Sequence, residues 1–200
     1  MDCFDTLQVV SLTLFLAIFF GRTYLLRQTG TEVIRLGSGK KGFSRLLERG
    51  FLVFFPLWLF EILISALHCD IQFLPDIMVR PFFTGFAVRA AGAALVVAAI
   101  LLFIGALVSF KSSWRIGIDT VAPGGLITAG VFSRSRNPIF LSMDLFFLGT
   151  FFIYGNLFFG VCFIVMALGC HFQILQEENF LQQRYGERYS LYLTQVKRYI

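Results

Sequence analysis

Five long apolar runs constrain this chain more than any other feature of its sequence. A helix needs about 20 mostly apolar residues to cross the hydrocarbon core of a membrane. Inside lipid the backbone has to satisfy its own hydrogen bonds, and runs of this length favour helices over strands. The sequence therefore predicts five membrane-spanning helices, over residues 7–20, 51–67, 85–110, 138–154 and 157–175.

The composition supports a membrane protein. Of the 200 residues, 57% are hydrophobic and only 14% are charged, whereas a soluble domain carries about 25% charged residues. An ordinary soluble enzyme, a disordered chain and a nucleic-acid-binding module are therefore disfavoured. We expect an all-α polytopic membrane protein that forms one membrane domain. Residues 1–110 form a scaffold of three spans, and residues 111–200 carry a cofactor-binding loop, a two-span hairpin and a tail.

The distribution of basic residues predicts the orientation. Fifteen of the 17 Lys and Arg residues fall in the loop after the first run, in the loop after the third run, or in the tail. Basic loops hold the cytoplasmic side of a membrane protein, which also accounts for the net charge of +5. We expect an N-terminus outside and a C-terminus in the cytoplasm, in a bacterial inner membrane or the endoplasmic reticulum.

Two local patterns do not predict a nucleotide or metal site. The segment 37–42 departs from the spacing of a phosphate-binding loop, and we interpret it as a basic segment near anionic lipid. The four cysteines form no C-x-x-C pair, so neither a metal site nor a disulfide framework is predicted. These are Cys3, Cys69, Cys162 and Cys170.

The first half contains features that we interpret as packing. Ala90, Ala94 and Ala98 recur every four residues in the third run, a spacing that permits close helix contact in lipid. Ionisable residues within or near spans are costly and often functional. Glu61 lies near the middle of the second run, whereas Arg89 is expected to extend outward to the membrane surface.

The fourth run begins at a strong helix-start signal. Asn137 is a favourable N-cap residue, and Pro138 suits the first helical position. Unpaired backbone N–H groups and the helix dipole, together with Arg134 and Arg136, would form an environment that binds anions. The alternative is a plain helix cap beside arginines at the membrane surface.

The fifth run ends in the adjacent carboxylates Glu177 and Glu178. Because only Gly155 and Asn156 separate the last two runs, we expect a tight antiparallel hairpin that places Asn137 and Glu177 at one membrane face. A cofactor with both an ammonium and a carboxylate would suit this pair, although a helix-end carboxylate in water is the alternative. After Glu178, apolar and aromatic residues at helical spacing predict an amphipathic cytoplasmic helix after a break near Gly186.

The second half, about residues 110 to 198, resembles a known family through the order and spacing of several short motifs. These are Leu126-Ile127-x-x-Gly130-x-Phe132, Arg136-Asn137-Pro138-x-Phe140, Asn156, and Glu177-Glu178-x-x-Leu181-x-x-x-Tyr185-Gly186-x-x-Tyr189-x-x-Tyr192, with Ser113-Trp114-Arg115 before them. The pattern resembles the isoprenylcysteine carboxyl methyltransferase family. That family belongs to a wider group of membrane methyltransferases that includes phospholipid N-methyltransferases.

The resemblance implies S-adenosylmethionine as methyl donor, bound at the cytoplasmic end of the last two spans. It also implies a lipophilic or small acceptor that reaches the pocket from the bilayer. The family's cofactor positions map onto Leu126, Ile127, Phe132, Asn137, Pro138, Ile139, Phe140 and Glu177, and we add the neighbouring Arg136 and Glu178 to the predicted cofactor site.

Three residues are candidates for the catalytic, acceptor-facing side. Eukaryotic carboxyl methyltransferases have an arginine where Gln173 stands, and a neutral amide cannot pair bidentately with a carboxylate. A carboxylate, thiol or amine acceptor therefore stays open. His171 is the candidate general base for an amine, or a structural residue. Asp144 lies about 10 Å deeper than the start of its helix, where it would border the acceptor channel or pair with a polar neighbour.

Two other functions remain consistent with the sequence. A membrane reductase that uses a nicotinamide cofactor is one, because sterol reductases are similar in the C-terminal hairpin. A non-catalytic membrane protein that retains the fold is the other. Asn137, where the family often has His, Phe132, where it often has Tyr, and Gln173 leave room for this second alternative.

Overall fold

A computed structural model describes residues 1–28, 43–110 and 125–200, and every regular element in these ranges is helical. The all-α prediction is thus confirmed. The segments 37–42 and 113–115 lie outside the described residues. The helices are α1 (Cys3–Gln28), α2 (Phe43–Leu67), α3 (Asp76–Val79), α4 (Phe86–Phe110), α5 (Pro138–Tyr154), α6 (Leu157–Tyr185) and α7 (Glu187–Gln195), with a short 3₁₀ turn at Gly130–Ser133.

Three of the described helices, α1, α4 and α6, are long and apolar enough to cross a membrane. The 17 residues of α5 and the segment Val53–Leu67 of α2 form shorter apolar helices. An integral membrane protein is confirmed, whereas the count of five spans stays a prediction. A 17-residue helix is about 26 Å long, somewhat less than the hydrocarbon core of about 30 Å.

Two helices extend beyond the predicted bounds. Helix α1 covers Cys3–Gln28 instead of residues 7–20, and α6 continues to Tyr185, ten residues past the predicted end at 175. Hydropathy marks only the apolar part of a helix, whereas the backbone hydrogen bonds continue through polar residues into water. The 29 residues of α6 span roughly 43 Å. Its last turns therefore lie outside the hydrocarbon core.

The closest helix contact joins α4 to α5 through two glycines. A Cβ atom at Gly149 would lie 2.7 Å from the carbonyl oxygen of Gly92 and 2.7 Å from Cγ2 of Val96. The alanine stripe, which we interpreted as a packing face, does not make this contact, because Ala94 and Ala98 are exposed. The backbones approach through the adjacent glycine face, since glycine removes the side chain altogether.

This contact is testable by adding one methyl group. We expect Gly149→Ala to destabilise the protein by about 1–3 kcal/mol, because the new methyl group meets backbone that cannot move aside easily. Gly169→Ala is the matched control, since a Cβ there meets nothing within 4 Å. Unfolding in detergent measures both variants. Equal stability of the two would contradict the assigned contact.

The predicted hairpin between α5 and α6 is confirmed. Gly155 ends α5 in the left-handed conformation, with φ of 65°, which glycine adopts without steric cost. Asn156 then caps α6, and its side chain accepts a hydrogen bond from the Phe159 N–H at 3.0 Å. The start of α5 and the end of α6 consequently lie at one end of the helix bundle, which we call the site end.

A charged cluster closes the opposite end of the bundle. Arg89 of α4 lies 2.6 Å from Asp2 and 3.7 Å from the buried Asp5, and its Nε donates to the carbonyl of Ile153. Arg89 does not simply extend outward, as the sequence had suggested, because these acceptors from α1 and α5 surround it. His68, after α2, lies 3.1 Å from Asp5. The cluster thus ties α1, α2, α4 and α5 together.

Candidate functional site

The start of α5 is built differently from the predicted cap. Asn137 occupies the N-cap position, but its side chain makes no capping hydrogen bond. Its amide Nδ2 instead donates to the Arg198 carbonyl at 3.2 Å and to Glu178 Oε1 at 3.5 Å. The amide is drawn away from the helix because these acceptors, both distant in sequence, lie beside it. Asn137 therefore joins three parts of the chain.

Glu178 is the centre of this cluster. Its carboxylate receives Nη2 of Arg136 at 3.1 Å on Oε1 and Nη2 of Arg198 at 2.8 Å on Oε2. Nε of Arg198 also lies 3.1 Å from Oε2. The side chains of Glu178 and Arg136 are each only 11% exposed, so solvent screens the pair weakly. The predicted convergence of a basic helix start and an acidic helix end is therefore observed.

Residues 196–200, which we call the tail segment, complete the cluster. The Lys197 carbonyl accepts a hydrogen bond from the Arg136 N–H at 3.1 Å. The Tyr199 hydroxyl lies 2.7 Å from Nδ1 of His171, and the hydrogen bond to Glu178 raises the pKa of Arg198 above its usual range. Sequence reasoning missed Arg198 and Tyr199. Their basic and aromatic character was visible, but nothing in the spacing indicated which helices they contact.

The three candidate catalytic residues lie along the facing sides of α5 and α6. Gln173 Nε2 donates to Glu177 Oε1 at 3.5 Å, one helical turn apart. Asp144, which is half-buried, lies within hydrogen-bond reach of the thiol of Cys170. His171 is already paired with Tyr199. Gln173 thus contacts a residue of its own helix, Asp144 links α5 to α6, and His171 contacts the tail segment.

The apolar residues of the predicted cofactor site are divided among three packing groups. Ile139 packs against the cluster around Phe103, and Phe140 packs against the main core. Leu126 packs instead against Tyr189 and Tyr192, which form the aromatic face of α7. Of the others, Phe132 and Pro138 are buried, and Ile127 is half-buried. They surround the polar cluster on several sides but do not form one continuous surface.

Helix α7 confirms the predicted amphipathic helix after a break at Gly186, whose φ is 54°. It buries Tyr189 and Tyr192. The Tyr192 hydroxyl donates to the carbonyl of Phe132 at 2.6 Å, and burial raises the pKa of Tyr192 to about 12. This hydroxyl therefore remains a donor at any ordinary pH. Helix α7 thus fixes the loop that leads into α5.

Removing this one hydroxyl tests the attachment. We expect Tyr192→Phe to destabilise the protein by about 1–2 kcal/mol, because the buried Phe132 carbonyl loses its donor. Tyr24→Phe is the control, since Tyr24 is 63% exposed on α1. Thermal unfolding in detergent compares the two. A loss as small as that of the control would show that the bond adds nothing.

Comparison with known proteins relates this chain to a family of membrane enzymes. Residues 93–188 match the phospholipid methyltransferase family. The match covers just under half of the 200 residues. The match confirms the resemblance to membrane methyltransferases and implies methyltransferase activity in an integral membrane protein. No curated protein shows significant similarity to the chain.

The extent of the match separates two groups of residues. It begins within α4, covers all of α5 and α6 and ends at the start of α7. Every predicted cofactor and catalytic residue falls within it, from Leu126 to Glu178. The tail segment and the first three helices lie outside it. The family match therefore does not include Arg198 or Tyr199.

Proposed function

We propose that this protein transfers a methyl group from S-adenosylmethionine to a lipophilic or small acceptor. The observation that carries the proposal is the meeting of Arg136, Asn137 and Glu178 at the site end, with Glu177 adjacent. Carboxylates and guanidiniums at one place suit the zwitterionic methionine end of the cofactor. The match to the phospholipid methyltransferase family supports methyl transfer as the reaction. S-adenosylmethionine is the methyl donor that we propose for it.

The donor set of the site fits this cofactor. The Nε atom of Arg136 is buried and has no hydrogen-bond partner among the described residues. An unpaired buried guanidinium donor is costly, and a carboxylate is its natural acceptor. In this proposal Arg136 receives the cofactor's carboxylate, and Glu177 receives its ammonium or ribose. Glu178, which is already paired with two arginines, keeps Arg136 in place beside the bound cofactor.

The apolar part of the site has a separate task. In the proposal Leu126, Ile127, Phe132, Ile139 and Phe140 hold the adenine and exclude water from the reacting atoms. The bound cofactor supplies a methyl group on a positively charged sulfur, which an acceptor attacks directly. The protein then contributes mainly position and a dry environment, which can supply much of the acceleration of such a displacement.

The acceptor is proposed to arrive from the membrane side. Asp144, Cys170 and Gln173 line the deeper part of the hairpin, where the flanking surface is apolar. A carboxylate, thiol or amine acceptor is compatible with this arrangement. Only an amine would need to lose a proton, for which Asp144 and His171 are the available groups. Glutamine at 173 disfavours a carboxylate acceptor.

The proposed orientation places this site at the cytoplasm, from which the cofactor comes. Fifteen of the 17 basic residues follow the first apolar run, the third apolar run or the last apolar run, either in connections or in the polar ends of helices, all of which the orientation places on that side. The N-terminus is then outside, next to the cluster of Asp2, Asp5 and Arg89. In this proposal residues 1–110 act as a scaffold, while residues 111–200 hold the cofactor and the acceptor.

The first test is cofactor binding. We expect purified protein in detergent to bind S-adenosylmethionine and S-adenosylhomocysteine by calorimetry. Glu177→Gln should weaken both about tenfold or more, because a charge-assisted contact becomes a neutral one. Glu187→Gln, an exposed glutamate on α7, is the matched control. Absence of binding by folded wild-type protein would refute the proposed cofactor.

The second test concerns the acceptor side. With radiolabelled S-adenosylmethionine and a lipid extract as acceptor source, we expect Asp144→Asn to slow methyl transfer by about 100-fold if the acceptor is an amine. Binding of S-adenosylhomocysteine should stay at the wild-type value, because Asp144 does not contact the cofactor in the proposal. Transfer to an amine acceptor at the wild-type rate would exclude Asp144 as the base.

A further inference from the structure

We propose that Arg198, in the tail segment, is a positioning residue that keeps Arg136 available for the carboxylate of the bound cofactor. The inference rests on the proposed function but concerns a residue that lies ten positions beyond the family match, which ends at 188. It depends on how two guanidiniums share one carboxylate.

The two arginines divide the carboxylate of Glu178 unequally. Arg198 places Nη2 2.8 Å from Oε2, and its Nε lies 3.1 Å from Oε2 and 3.2 Å from Oε1, so its planar fork engages both oxygens. Arg136 reaches only Oε1, through Nη2 at 3.1 Å. An arginine alone with a carboxylate prefers to bind both oxygens. Arg198 therefore prevents Arg136 from turning fully onto Glu178.

This restriction leaves Arg136 with its unused donor. Nε of Arg136 is buried without a partner among the residues that the structure describes. If Arg198 were absent, Arg136 would be free to rotate onto both oxygens of Glu178 and satisfy Nε there. The donor would then be lost to a ligand. Arg198 thus sets the direction of Arg136 without contacting the cofactor.

The tail segment is held firmly enough for this role. Its Lys197 carbonyl accepts from the backbone N–H of Arg136, and its Arg198 carbonyl accepts from Asn137 Nδ2. Val196 is buried against the aromatic face of α7, and Tyr199 lies against His171. Anchors therefore flank Arg198 on both sides, and its guanidinium has little freedom to leave Glu178.

The test compares two ligands that differ only in the group that Arg136 should bind. We would measure the Kd of S-adenosylmethionine and of decarboxylated S-adenosylmethionine by calorimetry, for wild type and three variants. Arg198→Ala should weaken the intact cofactor roughly tenfold, the loss of one charge-assisted contact, and leave the decarboxylated one nearly unchanged. Arg198→Lys, which keeps the charge but not the fork, should fall between. Arg188→Ala, on the exposed side of α7, should match wild type.

Each other outcome overturns the inference in a recognisable way. Equal loss for both ligands would mean that Arg198 only supports the fold. No loss for either would mean that it has no influence on the site. If Arg198→Ala does not fold, the lysine variant decides by the same comparison. Wild type that binds neither ligand would refute the proposed function itself, whereas wild type that binds both equally well would refute only the role of the carboxylate.

Discussion

A two-residue turn determines which residues meet at the site end of the bundle. Gly155 and Asn156 reverse the chain between α5 and α6, so the first residue of one helix and the last turns of the other meet. Without that reversal, Asn137 and Glu178 would lie at opposite ends of the bundle. Glycine at 155 is required because the backbone there is left-handed. The turn is also held by the Phe82 N–H, which donates to the Gly155 carbonyl at 2.7 Å.

Pairs of arginine and carboxylate side chains close both ends of the bundle, but the two ends differ in which arginine donors are already paired. At the far end Arg89 is enclosed by Asp2, Asp5 and a backbone carbonyl, so its charge is used in joining helices. At the site end, Arg136 shares Glu178 with Arg198 and retains a buried donor. The cluster at the far end joins helices, whereas the unpaired donor at the site end is where we propose that the cofactor binds.

Between the two ends the helices pack closely and with few polar contacts. Gly92 and Gly149 allow α4 and α5 to touch through their backbones, and Trp58 of α2 stacks on Phe147 with ring centroids 4.0 Å apart. A buried hydrogen bond from Gln8 to Thr150 joins α1 to α5 in this layer. Lipid cannot drive apolar helices together, so close packing and such polar contacts have to do so. The hairpin is therefore held by neighbours on both faces.

The sequence by itself determined the membrane class, the helical fold and the hairpin. These follow from local signals: run length and apolar content for the helices, Gly155-Asn156 for the turn, and Gly186 for the break before α7. The exact helix ends were less certain, since hydropathy does not record how far a helix continues into water. The alanine stripe was misjudged because periodicity cannot distinguish a face toward lipid from a face toward another helix.

The tertiary structure alone decided how the site residues are paired. Asn137 was expected to cap its own helix, but it binds Glu178 and the tail segment, which lie 41 and 61 positions away. The spacing of Arg198 and Tyr199 did not indicate which helices they contact, since contacts at such separations depend on how elements pack rather than on spacing along the chain. Local periodicity reports the environment of one helix, whereas the proposed site depends on three parts of the chain meeting at one carboxylate.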